Sequence, residues 1–496
     1  LDWLFQKPGL LVSKFQKLEF YTQQHTYELL PFKFDRLNDD EYVITNMAGE
    51  FHVIPAPMLE PIINKTLALS SELIATLRSK QFIRFTNEQA PLQLLALKIR
   101  TRLSRLAQFT NLHIFVVTLR CDHSCPYCQV SRQSESKGEF DMTTEMADRS
   151  LDFVFRSPNP AIKIEFQGGE PLLNFEMVKH VVLEAKKRNL KEGRDLRFVI
   201  ATTLSLLTND MLDFCKQHSI VLSSSLDGPM DLHNANRPRP GRDSHQRFEE
   251  GLKQARAALG YDQVSALMTT TDKSLPRARD IIDEYLRLGF DGIFLRTLSP
   301  YGFAIKTKKF MSYDTERWLE FYKEGLEYII ELNKSGIRFV EQYSAIVLTK
   351  MLTSGDPGFV DLMNPAGAGI AAIVFNYDGS VYASDESRML AEMGDHTFRL
   401  GSILEHSYEE IILSDQLLDA LENSFTLSAP MCSDCAFEPY CGAEPVYHHA
   451  IHKDVVARKP ESAFCKRNMS IFKHLIELMG SDEQTKRIFM GWANRC

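Results

Sequence analysis

The stretch Leu112-His-Ile-Phe-Val-Val-Thr-Leu-Arg-Cys121-Asp-His-Ser-Cys125-Pro-Tyr-Cys128 decides how this chain is read. A β-rich apolar run, Leu112–Leu119, empties into three cysteines within eight residues. Further strand-like runs follow at Ile162–Phe166, Arg197–Thr202, Ile220–Leu226, Gln263–Thr269 and Gly292–Thr297. Between them lie segments of helical periodicity at Thr144–Arg156, Phe175–Arg188, Thr208–His218, Ser244–Leu259 and Leu275–Leu288. Strand alternating with helix predicts an α/β fold with a parallel sheet and right-handed crossovers. A doubly wound open sheet and a full or partial (β/α) barrel both satisfy the pattern. In either, the loops after strand C-termini carry the chemistry, and the thiols sit on one of them.

Outward from the repeat the chain changes character. Residues 1–110 predict a small α+β module, with strands at Leu30–Arg36, Glu41–Thr45 and Glu50–Ile54, helices around Met58–Thr66 and Ser71–Ser79, and a last strand at Gln81–Phe85. Pro91–Ala107 predicts a basic amphipathic helix with a solvated charged face. Residues 111–300 hold the repeat and 301–354 a helical linker region with a helix over Tyr313–Asn333. Residues 355–496 form a cysteine-rich region that opens on a hairpin, Ala371–Phe375 and Ser380–Tyr382.

At 496 residues, 44% hydrophobic and 25% charged, the chain has the composition of a soluble globular protein of about three domains. A net charge of −8 counts against nucleic-acid or acidic-membrane binding. No apolar run approaches the roughly 18 residues of a membrane span, and the N-terminus lacks a signal-peptide pattern. The absence of an initiator Met predicts that native residues precede Leu1. A cytoplasmic protein is expected.

Nine cysteines are an odd number and a poor disulfide framework. Seven fall in two groups, Cys121/Cys125/Cys128 and Cys432/Cys435/Cys441/Cys465, as metal or iron–sulfur ligands do. Cys215, in a predicted helix, reads as core packing, and Cys496 as a terminal thiol. Three thiolates can hold three corners of a [4Fe–4S] cluster and leave one iron open for a substrate or cofactor. The bland alternative is a structural zinc knot completed by His123. The four late thiols are a complete tetrahedral set, for which zinc is also acceptable. His448 and His449 lie among them but are not needed as ligands.

The Cys-x₃-Cys-x-aromatic-Cys pattern after the first strand resembles the radical S-adenosylmethionine (SAM) superfamily. The resemblance implies a partial (β/α)₆ barrel whose open iron binds SAM, and reductive cleavage to a 5′-deoxyadenosyl radical. Tyr127 occupies the family's aromatic position, which packs near the adenine. Gln167-Gly168-Gly169-Glu170-Pro171, about forty residues after the triad, resembles the motif that receives the SAM amino group. Glycines there admit close backbone approach, and a carboxylate complements an ammonium. Ser223-Ser224-Ser225-Leu226-Asp227-Gly228-Pro229 resembles the family's Ser-Leu-Asp-Gly-Pro segment, so that Ser225 would bond the ribose and Asp227 shape the loop or touch substrate. Arg296 is a further ligand candidate.

The late group resembles the SPASM extension of radical SAM enzymes that modify peptides and proteins. That extension usually holds two auxiliary [4Fe–4S] clusters. Here the positions of the nearer one read Ala366, Ser384 and Pro445, while Cys432, Cys435, Cys441 and Cys465 are retained. The resemblance implies one auxiliary cluster kept and one lost. Asp385 stands where sulfatase-maturing enzymes carry a general base, but reads here as a surface carboxylate. The N-terminal module resembles a winged-helix domain that recognises the leader of a precursor peptide. Three stretches, Leu119–Ser131, Leu295–Ala304 and Pro439–His449, resemble the radical SAM maturase of the His-Xaa-Ser system, B-type. The implied activity is hydrogen abstraction from a side-chain carbon of a ribosomal precursor, with cross-linking. The implied partners are a leader-bearing precursor peptide, an electron donor such as flavodoxin or ferredoxin, and a second maturase. A sulfatase-maturase-like side-chain oxidase and a non-catalytic precursor-binding partner are the alternatives.

Overall fold

The computed structural model describes residues 27–311 and 313–494. Cys496 lies outside them. The chain divides into two compact units, Leu1–Ile99 and Arg100–Cys496.

In the first unit, strands β2 (Phe32–Arg36), β3 (Glu41–Asn46) and β4 (Phe51–Pro55) form an antiparallel meander. β1 (Tyr27–Leu29) pairs antiparallel with β5 (Ile83–Phe85), beyond the helices Leu59–Ile63 and Glu72–Ser79. Tyr27, Ile44, Ile54, Ile74, Leu77 and Phe82 share one core, which makes this unit a small domain with a hydrophobic centre of its own.

The second unit is built on an eight-stranded sheet in the order β10-β9-β8-β7-β6-β13-β14-β15. Strands β6 (Leu112–Thr118), β7 (Ala161–Gly168), β8 (Asp195–Thr202), β9 (Ile220–Ser225) and β10 (Val264–Leu267) run parallel, with helices between them as the sequence predicts. The choice between open sheet and barrel is made by the side chains of β7. Ile162, Ile164 and Phe166 are buried, while Glu165 and Gln167 face a hollow of about 870 Å³. A doubly wound sheet is covered on both faces and reads as a continuous apolar run; a strand alternating apolar with polar has one face on helices and the other on a cavity. This is the mixed α/β, partial-barrel arrangement.

Two local readings are corrected. The sixth strand, expected over Gly292–Thr297, shrinks to β11 (Gly292–Ile293), which pairs with β12 (Val340–Glu341) and not with β10. The cause is a buried carboxylate: Leu295 donates its amide to Glu341 Oε1 at 3.1 Å, so no strand partner receives it. The hairpin β13 (Ala372–Phe375) and β14 (Ser380–Tyr382) is present, but it joins the main sheet, with β13 parallel to β6 and β15 (Arg399–Ser402) beyond β14. The C-terminal region thus walls one side of the hollow. No helix among the described residues is long and apolar enough to cross a membrane.

Candidate active site

The thiol loop leaves β6 at its C-terminal end and is pinned by its backbone. Cys121 N donates to Gln133 O at 3.2 Å, Ser124 N to Pro238 O at 2.8 Å and Cys128 N to Cys125 O at 3.2 Å. All three cysteines line one cavity of about 250 Å³, with Gly168, Gly169, Ser225, Arg237 and Arg296. Burial pushes the Cys125 thiol up to about 12, and burial together with Cys125 and Glu170 raises Cys121. Two thiols that resist ionisation until a metal takes the proton's place, Cys121 and Cys125, with Cys128 on the same cavity and the His123 amide 3.4 Å from Cys121 Sγ, form a donor set that suits iron–sulfur ligation. His123 does not complete a zinc knot. Its two ring nitrogens are engaged, at 2.8 Å to Asp122 and 2.8 Å to Ser244.

The Gly-Gly-Glu-Pro segment lies where β7 ends, and Gly168 and Gly169 line the three-thiol cavity. A Cβ on Gly169 would stand 2.2 Å from Arg120 O and 2.5 Å from Leu119 O. The close approach that glycine permits is to the root of the thiol loop. Gly169→Ala is therefore expected to displace that loop, cost about 1–3 kcal/mol and lower the iron retained at the first site. Thermal melts and iron analysis check this, and a variant with wild-type iron content would contradict it. Glu170 is fully buried and bonds to Thr202 and Thr203, which themselves line the cavity. Its carboxylate accepts from Thr202 Oγ1 (2.7 Å), Thr203 N (2.7 Å), Thr203 Oγ1 (2.8 Å) and Leu172 N (3.1 Å). Those donors fill its acceptor sites, so Glu170 shapes the loop. Pro171 begins the buried turn Pro171–Asn174.

Ser225 ends β9 and faces the cavity. Asp227 is buried behind it and receives Tyr127 Oη at 2.5 Å, Arg237 Nε at 3.1 Å and Thr269 N at 3.3 Å. Arg237 also lies 5.6 Å from the centre of the Tyr127 ring. Asp227 therefore ties the thiol loop to β9. A second tie runs from Glu170 through Thr203, Ser205 and Asp122 to His123, and on through Ser244 to His233, each link 2.6–3.0 Å. Sequence reading did not find Arg237, Asp122, Ser244 or His233 as parts of the site; Asp122 is an unassigned position within the cysteine motif, and the other three follow Asp227 with no motif of their own.

Arg296 lines both the three-thiol cavity and the large hollow. Asp385 lines both as well and pairs with the fully buried Arg388 at 2.8 Å, so it is not a surface carboxylate. Ser384 caps the helix Asp385–Ala391, Pro445 opens the helix Pro445–His452, and the Ala366 amide bonds Ser424. Around them burial raises the carboxyls of Asp361, Glu386 and Glu444; Asp361 and Asp385 add to the rise of Glu386, and Asp361 and Glu386 to that of Glu444, while Arg296 and Arg467 oppose the rise of Asp361 and Arg296 that of Glu386. Glu386 reaches about 7. A carboxyl whose affinity for its proton rises on folding favours the native state at low pH, and that support is lost as pH climbs through the folded value. Melting temperature is expected to fall between about pH 6 and 8, with a shallower slope in Glu386→Gln. Equal slopes would refute this account.

The late cysteines also converge. Burial raises the Cys441 thiol, and Cys435, Cys465 and Cys432 all add to the rise. Phe437 N donates to Cys435 Sγ at 3.4 Å and Asn468 Nδ2 to Cys441 Sγ at 3.7 Å, contacts that suit thiolate sulfur. Cys465 sits in the first turn of the helix Ala463–Ser481. His448 and His449 are held instead by Ser462 and Asp395. Cys215 is buried in its helix, as core packing requires.

Comparison with known proteins agrees with this geometry. Residues 115–274 match the Radical SAM superfamily. The cysteine-type anaerobic sulfatase-maturating enzyme of Clostridium perfringens is 23% identical over 342 residues, covering 65% of this chain and 84% of that one. An uncharacterized protein of Methanocaldococcus jannaschii is 27% identical over 191 residues; that match takes in 38% of this chain and 62% of the relative's length. Among solved structures, native anSMEcpe with bound AdoMet and Kp18Cys peptide superposes with a TM-score of 0.62 at 18% identity, over 78% of this chain and 99% of that one. Streptococcus suis SuiB bound to the precursor peptide SuiA gives 0.53 at 13% identity, over 88% and 99%. These likenesses are likenesses of fold. Taken with three thiols at the head of a partial barrel, they make residues 115–274 a radical SAM domain, and the chain an enzyme built on one.

Proposed function

We propose that this enzyme is a maturase of polypeptide substrates, with Cys121, Cys125 and Cys128 holding a [4Fe–4S] cluster and SAM bound beside it. The observation that carries the reading is continuity: the three-thiol cavity and the large hollow share Glu165, Gln167, Leu267, Arg296 and Asp385. When bound, the cluster and SAM supply a 5′-deoxyadenosyl radical able to take hydrogen from an unactivated carbon. The chain's part is to hold and to shield. The backbone at Gly168–Gly169 and the Ser225 hydroxyl would orient SAM, Tyr127 and Asp227 keep the thiol loop on its strand, and the barrel wall excludes water and stray hydrogen donors. The hollow takes the substrate side chain.

The relatives support a peptide substrate, since anSMEcpe and SuiB are described with bound peptides. In the finer reading the first unit binds the leader by strand addition, and a carbon radical on the precursor closes a cross-link of the His-Xaa-Ser type. The late thiols would hold one auxiliary [4Fe–4S] cluster as an electron exit, with a flavodoxin or ferredoxin as donor, a second maturase as partner and the cytoplasm as compartment. Likeness to the Clostridium enzyme over 342 residues favours a second reading, oxidation of a single side chain. A non-catalytic binding partner would need no cavity around three thiols.

The test is anaerobic reconstitution with iron and sulfide, comparing wild type with the Cys121→Ala/Cys125→Ala/Cys128→Ala variant. The expected result is about eight irons per chain falling to about four, with 5′-deoxyadenosine production lost. Wild type that binds iron at the triad yet never cleaves SAM would overturn the reading. Mass spectrometry of the treated peptide separates a cross-link from a single oxidised side chain.

A further inference from the structure

A side recess of about 60 Å³ opens off the hollow behind residues 294–299. It shares Phe294, Arg296, Phe359, Asp361 and Glu386 with the hollow, so the two spaces are continuous. Five charged side chains face it: Asp361, Glu386, Glu444, Arg296 and Arg467. Buried charges are ordinarily paired. Among the described residues, none of these five has an opposite charge within 4.0 Å. Glu444 accepts from the Tyr447 amide at its own helix start, at 3.2 Å, and Arg467 lies over the rings of Trp318 and Phe464 at 5.8 and 5.2 Å.

A second, independent observation points to a ligand. The Tyr301 hydroxyl and the Trp318 indole N–H both border the recess and bond to nothing, although Tyr301 is 0% and Trp318 2% exposed. A buried polar group without a partner is a standing cost that a bound group removes. The charge balance says what kind of group. With all three carboxyls ionised against two guanidiniums the recess carries a formal charge of −1, and with Glu386 protonated it is neutral, so a monocation that takes the place of that proton keeps it neutral. The aromatic walls suit the stem and the face of such a cation.

We propose that this recess is a specificity subsite for the cationic side chain of a substrate polypeptide, bound while the neighbouring residue lies in the hollow beside the three-thiol cavity. The inference rests on reading the hollow as a polypeptide site. The three N–H groups of an incoming ammonium are shared among the carboxylates of Asp361, Glu386 and Glu444 and the Tyr301 hydroxyl. Water carried in with the cation gives the Trp318 N–H its acceptor. Because Glu386 holds its proton up to about pH 7, capture of a cation there also releases a proton near neutrality.

The test uses the full-length reconstituted protein with SAM and three probes: Nα-acetyl-lysine methylamide, its norleucine counterpart and its glutamate counterpart. Binding is read by tryptophan fluorescence and calorimetry. The lysine probe is expected to bind about tenfold more tightly than the norleucine probe, and Glu386→Gln/Glu444→Gln to erase most of that difference. Equal binding of lysine and norleucine, tighter binding of glutamate, or a double variant that keeps the preference would overturn the proposal. If the double variant does not fold, the wild-type comparison of the three probes decides alone. SAM cleavage measured on the same samples keeps the two readings apart. Cleavage without probe discrimination removes the subsite only, whereas absence of cleavage removes the maturase reading and leaves the subsite to the probes.

Discussion

Replacing Cys435 and Cys441 together with Ala is expected to strip the second metal centre and unravel the chain around residues 425–465. Between the helices Asp415–Asn423 and Ala463–Ser481 this region holds little regular structure beyond two single turns, Glu438–Tyr440 and Lys459–Glu461, and the short helix Pro445–His452. A segment so poor in helix and strand is held by a cross-link if, as proposed above, its four sulfurs bind one metal centre. In the absence of metal the Cys441 and Cys465 thiols keep their protons, because burial and the neighbouring thiols oppose ionisation. Metal binding then carries folding free energy of order 10 kcal/mol for a complete thiolate set. Limited proteolysis and metal analysis check the expectation: cleavage within this region, and loss of metal with the triad's iron retained. A variant with the wild-type cleavage pattern would show that the late thiols hold nothing structural. Zinc in place of iron would keep the structural role and remove the electron exit.

Arg237→Met is expected to be the most costly single substitution in the barrel. The guanidinium is held charged by Asp227, Tyr127 and Cys125 against the cost of burial. Removing it leaves the Asp227 carboxylate fully buried with no cation, a fault worth about 3–5 kcal/mol. The damage does not stay local, because Asp227 also receives the Tyr127 hydroxyl, and Tyr127 lies between Cys125 and Cys128. Iron retention and melting temperature are expected to fall together. Adding Asp227→Asn removes the orphaned charge and should restore a large part of the stability. If the double variant is no more stable than Arg237→Met, the loss comes from packing, not from the carboxylate.

The chemistry was legible in the sequence where it lies close to strand ends. Cys121–Cys128, Gly168–Pro171 and Ser225–Asp227 each follow an apolar run, so the alternation that reveals the sheet also puts them on one rim. The choice between open sheet and barrel stayed open in the sequence and is made by the structure, where the alternation of Ile162-Lys163-Ile164-Glu165-Phe166-Gln167 sets one face on helices and the other on the hollow. What escaped depends on long-range contact. Nothing local says that Ala372–Phe375 lies against β6, or that Ser244 sits between His123 and His233. For Glu170 a carboxylate next to glycines suggests a ligand contact, while the donors that hold it in the structure come mainly from Thr202 and Thr203, at the end of another strand and out of reach of local sequence.

The break between β10 and β11 has a consequence for how substrate arrives. Residues of both strands border the hollow, yet no backbone ladder joins them. A closed barrel would have to be threaded from a free end. On the polypeptide reading proposed above, a wall held at that seam by the Thr270 amide and hydroxyl on Arg296 O, and by no ladder, would let a chain be laid in from the side, like a cable pressed into a slotted conduit. The residue acted on would then be limited by what fits the hollow, and not by its distance from either terminus.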